Sequence, residues 1–389
     1  MLDFTYYTPT KVFFGKGQQE NVGKIIYEYG YKKIMLQYGK QSIKKNGLYD
    51  EVMSSLLEYG IEVIEAGGVE PNPKVSFVRD AVKIAKEEKV EMILAVGGGS
   101  VIDSSKATAL GAVADADIWD IYEKKVTPKG ALPVGCILTH SAAGSEMSWS
   151  AVLTNTELST KRGCTTDFNR CLFAICNPEL TFTVSPYQTA CGIVDILSHT
   201  MERYFSVCGQ TELTDSIAES VMKSVVSSGI KAIENPKDYE ARATLMWASS
   251  LSHNNLTGCG RKHTMAVHQL EHALSGEYDS IAHGAGLAVL FPAWAKFVYK
   301  KNVLRFAQFA RRVWDVDEAC NEKCALLGIE KMEEFFRKIK MPLKLYEFGL
   351  SEDCTQRLSE LCTYNKTRTI ESYIELDFDN INEIFKSCF

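Results

Sequence analysis

The side chains best suited to chemistry in this sequence are one aspartate and three histidines: Asp195, His199, His268 and His283. Asp195 and His199 stand four residues apart with Glu202 three further on, so a helix carries all three on one face. Ser185-Pro186 supplies the start of that helix, with serine as N-cap and proline at the first helical position. Only seven histidines occur in 389 residues, and four of them, His263, His268, His272 and His283, crowd into one short stretch. His268 and His272 repeat the four-residue helical spacing. One oxygen and three nitrogen donors suit Fe(II) or Zn(II), whereas Mg(II) and Ca(II) prefer oxygen shells. The competing reading is a set of histidines satisfied in a core or on a surface.

A second group is built from backbone. Gly97-Gly98-Gly99-Ser100-Val101-Ile102-Asp103-Ser104-Ser105-Lys106 follows an apolar strand and opens a helix. Glycines let the main chain approach a bulky anion, and the free N–H groups of a helix start attract it. Ser100 can cap that helix or donate to a phosphate. The bland alternative is a tight strand-to-helix turn, but three glycines cost backbone entropy without a packing return. After the strand ending at Tyr38 come Gly39 and Lys40, with Lys44 and Lys45 nearby and no carboxylate before Asp50. An acidic residue there would select NAD through the ribose 2′-hydroxyl, so the lysines favour NADP(H), with NAD(H) as the alternative.

These groups need elements to position them. The run from Lys33 to Gly97 alternates strands (33–38, 61–66, 91–96) with helices (48–59, 75–88), which predicts a mostly parallel α/β sheet. Short strands continue at 132–138, 151–154 and 172–176. Beyond Pro186 helical patterns take over, as at 214–233, 239–251, 304–313 and 331–338. The expected division is an α/β dinucleotide-binding domain over 1–185 and an all-helical metal-binding and catalytic domain over 186–389. At 46% hydrophobic and 24% charged residues there is material for two cores. The net charge of −6 offers no reason to bind nucleic acid or an anionic membrane. Twelve cysteines without a C-x-x-C pair read as reduced core thiols. No apolar leader is read in Met1–Tyr7 and no run reaches the roughly 20 apolar residues of a membrane span, so a cytoplasmic protein is expected.

The glycine loop with Asp103 and Lys106, the Asp195-x-x-x-His199-x-x-Glu202 pattern and the His268 to His283 block together resemble the iron-containing (group III) alcohol dehydrogenases. The stretches His268–Ser275 and Tyr38–Gly47 are similar to the butanol dehydrogenase-like branch. The resemblance implies the dehydroquinate synthase-like fold of that family, with an α/β dinucleotide-binding domain and an all-α metal domain, in a homodimer. It implies NAD(P)-linked interconversion of short primary alcohols, such as butanol, with their aldehydes. Carried over by position, the metal ligands are Asp195, His199, His268 and His283, with iron favoured and zinc the alternative. The cofactor residues are Gly39, Asn72, Gly97, Gly98, Gly99, Ser100, Asp103, Thr139, Ser141, Ser145, Lys161 and Leu180. His272 falls beside the nicotinamide and is the candidate proton carrier. The segment Thr139-His140-Ser141-Ala142-Ala143-Gly144-Ser145 departs from the family's threonine-rich spacing, and the His268–His283 interval is one residue longer than the family's. A loop insertion around Asp279–Ala282 would absorb that extra residue. Glycerol dehydrogenases and dehydroquinate synthase-like lyases on the same plan are the alternative enzymes; a nucleotide sensor would need a broken metal site.

Overall fold

A computed structural model describes residues 1–206 and 210–389 of the chain, which leaves Cys208 outside the described residues. Two compact units emerge, one of Tyr7–Thr183 and the other of Met1–Tyr6 with Val184–Phe389. The first six residues join the second unit because the Leu2 N–H donates to the Gly260 carbonyl at 2.9 Å.

The first unit is a six-stranded sheet in the order β1-β8-β5-β4-β2-β3, all neighbours parallel. Its strands are β1 (Lys11–Phe14), β2 (Lys33–Tyr38), β3 (Glu62–Gly67), β4 (Met92–Gly97), β5 (Val134–Leu138) and β8 (Phe173–Cys176). Parallel neighbours need crossovers, supplied by α1 (Val22–Glu28), α2 (Ser42–Lys45), α3 (Leu48–Glu58), α4 (Val75–Glu87), α5 (Gly99–Val113) and α6 (Ile118–Tyr122). β4 is buried along its whole length, as a strand covered on both faces must be. After β3 the chain returns across the sheet to β4 and then β5, so strand order reverses between β2 and β4. In open α/β sheets the crevice at the carboxyl ends of such a switch point takes the ligand. A hairpin, β6 (Ser150–Asn155) and β7 (Thr160–Thr165), stands apart as an antiparallel pair.

The second unit is helical: α7 (Pro186–Tyr204), α8 (Glu212–Glu234), α9 (Tyr239–His253), α10 (Ala266–Glu277), α11 (His283–Val298), α12 (Val303–Trp314), α13 (Asn321–Lys338), α14 (Cys354–Cys362) and α15 (Phe378–Ser387). The helix read at 331–338 begins ten residues earlier, because Asn321–Glu330 continues the same buried face through Cys324, Ala325, Gly328 and Ile329. α7 and α11 are buried almost all round. Phe205 stacks on Phe306 with centroids 4.4 Å apart, and Trp294 lies fully buried beside them. Each such large apolar side chain contributes about 1.5–3 kcal/mol. The eleven described cysteines are free thiols, ten of them buried. Among the described residues no helix is long and apolar enough to cross a membrane.

Candidate metal centre and dinucleotide cradle

Three helices of the second unit bring the aspartate and histidines together. α7 starts as its sequence dictates: the Ser185 hydroxyl accepts from the Gln188 N–H at 3.2 Å, with Pro186 in the first turn. It carries Asp195, His199 and Glu202, all buried. α10 carries His268, Glu271 and His272, and α11 opens with His283. The loop at Asp279–Ala282 is the connection between these last two helices. Two glycines set the position of His283. A Cβ on Gly284 would lie 2.2 Å from the Cys191 carbonyl oxygen, so only glycine lets α11 meet α7 backbone to backbone one turn before Asp195. A Cβ on Gly286 would lie 3.0 Å from Glu271 Cγ.

Asp195 Oδ1 faces three imidazoles: His199 Nδ1 at 3.2 Å, His268 Nε2 at 3.6 Å and His283 Nε2 at 3.7 Å. Asp195 Oδ1, His199 Nδ1 and His268 Nε2 are buried and make no hydrogen bond. Buried polar atoms without partners are rare and costly, so three pointing at one another mark a place for a cation. The donors of Asp195, His199 and His268 all lie within 4.8 Å of one another. His283 is the most open of the four, with its side chain 24% exposed, and its other face groups with Glu271 and His272. The residues present fit a divalent transition metal.

Carboxylates hold the far side of two imidazoles. Glu202 Oε1 accepts from the His268 backbone N–H at 2.9 Å and lies 3.2 Å from His268 Nδ1. Glu271, fully buried, pairs with His283 Nδ1. Each contact leaves Nε2 turned to Asp195, the arrangement by which outer carboxylates fix the tautomer and raise the basicity of a metal-binding histidine. Burial pushes His199 down to about 4, against the pull of Asp195, so its ring is neutral near pH 7. Burial also works against protonation of His268, but Asp195 and Glu202 carry it up to about 9. Burial opposes the charge on Asp195, yet His199, His268 and His283 hold its carboxyl well below the usual range. The pocket favours a positive charge between its carboxylates, whether proton or metal.

Glu202 and Glu271 lie inside the quoted motifs, but no spacing rule gives a carboxylate at those places its role. His253 and Arg203 carried no signal at all. The His253 ring meets His199 edge to face, with centroids 4.0 Å apart. Buried Arg203 donates to the His199 carbonyl at 2.8 Å and reaches His253 Nδ1 at 3.1 Å. His272 sits on α10 with its ring centroid 5.8 Å from that of His283. His263 is partly buried in the same unit, pushed down to about 3 by loss of water and by Arg203 and Arg261.

In the first unit, β4 runs straight into Gly97-Gly98-Gly99 and α5. The helix begins at Gly99 with Gly98 as N-cap, so Ser100 lies inside the first turn and does not cap it. The reason is backbone: Gly98 takes the extended conformation of a cap, and the chain is already helical at Ser100. A Cβ on Gly98 would lie 3.2 Å from His140 Cβ, and one on Gly99 3.2 Å from Ala143 Cβ. The loop after β5 therefore lies against the glycines, tied by the Thr139 N–H to the Gly97 carbonyl at 3.0 Å. Ser141 Oγ in this loop is buried without a hydrogen-bond partner. Ser145 and Asp103 are engaged within the fold: Ser145 Oγ donates to Asp103 Oδ1 at 2.5 Å and the Val152 N–H to Oδ2 at 2.8 Å. Fully buried Lys106 donates to the carbonyls of Ser145, Ser148 and Ser150 at 2.6–3.0 Å. Asn72, in the left-handed region at φ 51°, accepts from Lys161 Nζ at 3.1 Å. Gly39 accepts from the Gly68 N–H at 3.2 Å. Leu180 packs, partly buried, against the sheet core.

Two family models cover most of the chain: one described as iron-containing alcohol dehydrogenase matches residues 9–178, and one as the C-terminal part of the Fe-containing alcohol dehydrogenase family matches 189–389. The sequence is 40% identical over 391 residues to NADH-dependent butanol dehydrogenase A of Clostridium acetobutylicum, covering 100% of each chain. It is 34% identical to an NADPH-dependent aldehyde reductase of Escherichia coli, covering 90% of each. The fold superposes with a TM-score of 0.97 on the crystal structure of NADH-dependent butanol dehydrogenase A from Thermotoga maritima, at 39% identity, covering 100% of this chain and 99% of that one.

Proposed function

The chain belongs to the iron-containing alcohol dehydrogenase family, and on that premise we propose that it interconverts short primary alcohols, butanol among them, with their aldehydes at a metal held by Asp195, His199, His268 and His283. It is a nicotinamide-linked alcohol dehydrogenase. The observation that carries the assignment is the convergence on Asp195 Oδ1 of three imidazole nitrogens within 3.7 Å, with three buried ligand atoms lacking any other partner.

When bound, the metal supplies a Lewis acid that acidifies an alcohol or polarises a carbonyl, and the nicotinamide accepts or supplies the hydride. The protein's part is positioning. Glu202 and Glu271 hold His268 and His283 by their outer nitrogens, so the inner ones are available as donors. Burial of Asp195, His199 and His268 keeps bulk water from the centre. His272, one turn after His268 and beside His283, is the group we assign to carry the alcohol proton to solvent. The glycine cradle, with Ser100, Thr139, Ser141 and Asn72, is assigned to the dinucleotide; Asp103, Ser145 and Lys161 frame it, and Gly39 and Leu180 line its edge. Lys40, just after β2, and Lys44, on α2, favour NADP(H) over NAD(H). The ligand set suits Fe(II) and Zn(II) alike, and the family favours Fe(II). The resemblance supports a homodimer, and the buried free thiols support a cytoplasmic setting.

The test is turnover of butanal with NADPH and with NADH in protein stripped of metal, then reloaded anaerobically with Fe(II) or Zn(II). Undiminished turnover without metal would falsify the assignment.

A further inference from the structure

Recognition of a ribose 2′ position falls to side chains at the end of the strand beside the phosphate cradle. Here that strand is β2, which pairs with β4 through Tyr38 and Val96, at the point where strand order reverses. Gly39 and Lys40 follow it. The sequence has no carboxylate in this segment, but the fold brings one from the neighbouring strand. Lys40 Nζ lies 2.7 Å from Glu70 Oε1, in the loop after β3.

That loop is held in place. The Gly68 and Val69 N–H groups both donate to the Tyr38 carbonyl, at 3.0 and 3.1 Å, and the Thr154 N–H donates to the Pro73 carbonyl at 2.8 Å. Two residues beyond Glu70 stands the left-handed Asn72 with its Lys161 contact. Glu70 thus shares one short loop with a residue assigned to the cofactor, and faces the β2 end across it.

The two nearby lysines differ in freedom. Lys44 lies over the rings of Tyr38 and Tyr49, at 5.0 and 4.5 Å, and 3.9 Å from Glu65, which accepts both tyrosine hydroxyls at 2.6 and 2.8 Å. Lys40 and Glu70 remain 67% and 48% exposed. An exposed ion pair is weak and easily exchanged. A 2′-phosphate would take Lys40 but meet the negative charge of Glu70, whereas a 2′-hydroxyl can donate to that carboxylate.

We propose that Glu70 sets the balance between the two cofactors, by competing with the 2′-phosphate of NADPH for Lys40 and by accepting from the 2′-hydroxyl of NADH. The proposal rests on the cofactor reading above. Its effect is to admit NADH to a segment whose lysines alone favour NADPH.

The test measures dissociation constants of NADPH and NADH on the full-length, metal-loaded protein, with adenosine 2′,5′-bisphosphate and AMP as fragments that lack the nicotinamide. Glu70→Gln is expected to shift the NADPH-to-NADH affinity ratio about tenfold towards NADPH, and the shift should shrink as salt screens it. Lys40→Gln should shift the ratio by a similar factor the other way, and the fragments should follow their parent cofactors. An unchanged ratio in Glu70→Gln overturns the proposal while leaving the enzyme assignment intact. Parallel weakening of both cofactors also overturns it, since that marks a loop-holding role. Failure of the unaltered protein to bind either cofactor removes the cofactor reading itself.

Discussion

Two aspartates, one in each unit, differ in how their oxygens are satisfied. Asp103 lies on α5 beneath the cradle, and its oxygens take hydrogen bonds from Ser145 and Val152. Loss of water raises its carboxyl pKa against the pull of Lys106, Ser145 and Val152. Asp195 lies on α7, its Oδ1 receives no hydrogen bond, and three imidazoles hold it ionised. The carboxylate that ties a loop is satisfied; the one proposed to take a metal is not. Hydrogen-bond accounting separates the two settings.

The largest effect that tests this contrast comes from Asp195→Asn. It should remove the metal and lower kcat/KM by on the order of a thousandfold or more, read by metal content and butanal reduction. Asp103→Asn should leave metal content unchanged and show its effect in cofactor affinity instead. If both variants lost metal equally, the contrast would fail.

Next comes a buried charge in the helical unit that is fully paired. Asp215 binds Arg261 and Arg305, each at 2.5 Å, and accepts from Gln308 at 3.1 Å. Asp215→Asn removes the carboxylate charge that two buried guanidiniums share and should cost about 3–5 kcal/mol in unfolding stability, with the metal site intact in the folded fraction. Burial opposes ionisation of Asp215, but Arg305 and Arg261 lower its folded pKa below the unfolded value. Its stabilisation is therefore complete above the unfolded carboxylate range and is lost as pH falls through the lowered value. Denaturant midpoints measured from pH 7 to pH 3 should fall for the unaltered chain and stay flatter for the variant.

Smaller effects separate the outer carboxylates. Glu202→Gln and Glu271→Gln should each weaken metal binding by about 10–100-fold, measured by chelator competition, with folding retained. In the cradle, Lys106→Met removes the ammonium shared by three carbonyls, for a cost of about 1–3 kcal/mol once water reaches all but one of them. Weaker cofactor binding with normal metal content is the expected result. Metal loss in Lys106→Met would contradict the separation of roles.

The alternation of strands and helices from Lys33 to Gly97, the turn into helix after β4 and the start of α7 were legible because each depends on nearby residues. Period, capping and glycine act over a few positions. The four side chains proposed as donors were legible as candidates, since Asp195–His199 and His268–His272 keep helical spacing and His283 stands beside glycines. The β7 strand was not legible: Thr160-Lys161-Arg162-Gly163-Cys164-Thr165 has no apolar alternation and is a strand because β6 pairs with it. Nor was the helix start at Asn321, where a polar first turn hid the buried face that begins at Cys324.

By itself the sequence determined which candidate donors exist and which helices carry them, because residue type and local periodicity are written along the chain. Tertiary structure alone decided which carboxylates serve them. Glu202 reaches a histidine 66 positions away, Glu271 meets His283 only where Gly284 and Gly286 let helices close, and Glu70 reaches Lys40 from the next strand. A long-range hydrogen bond leaves no periodic trace, since its partner's position is fixed by packing and not by spacing.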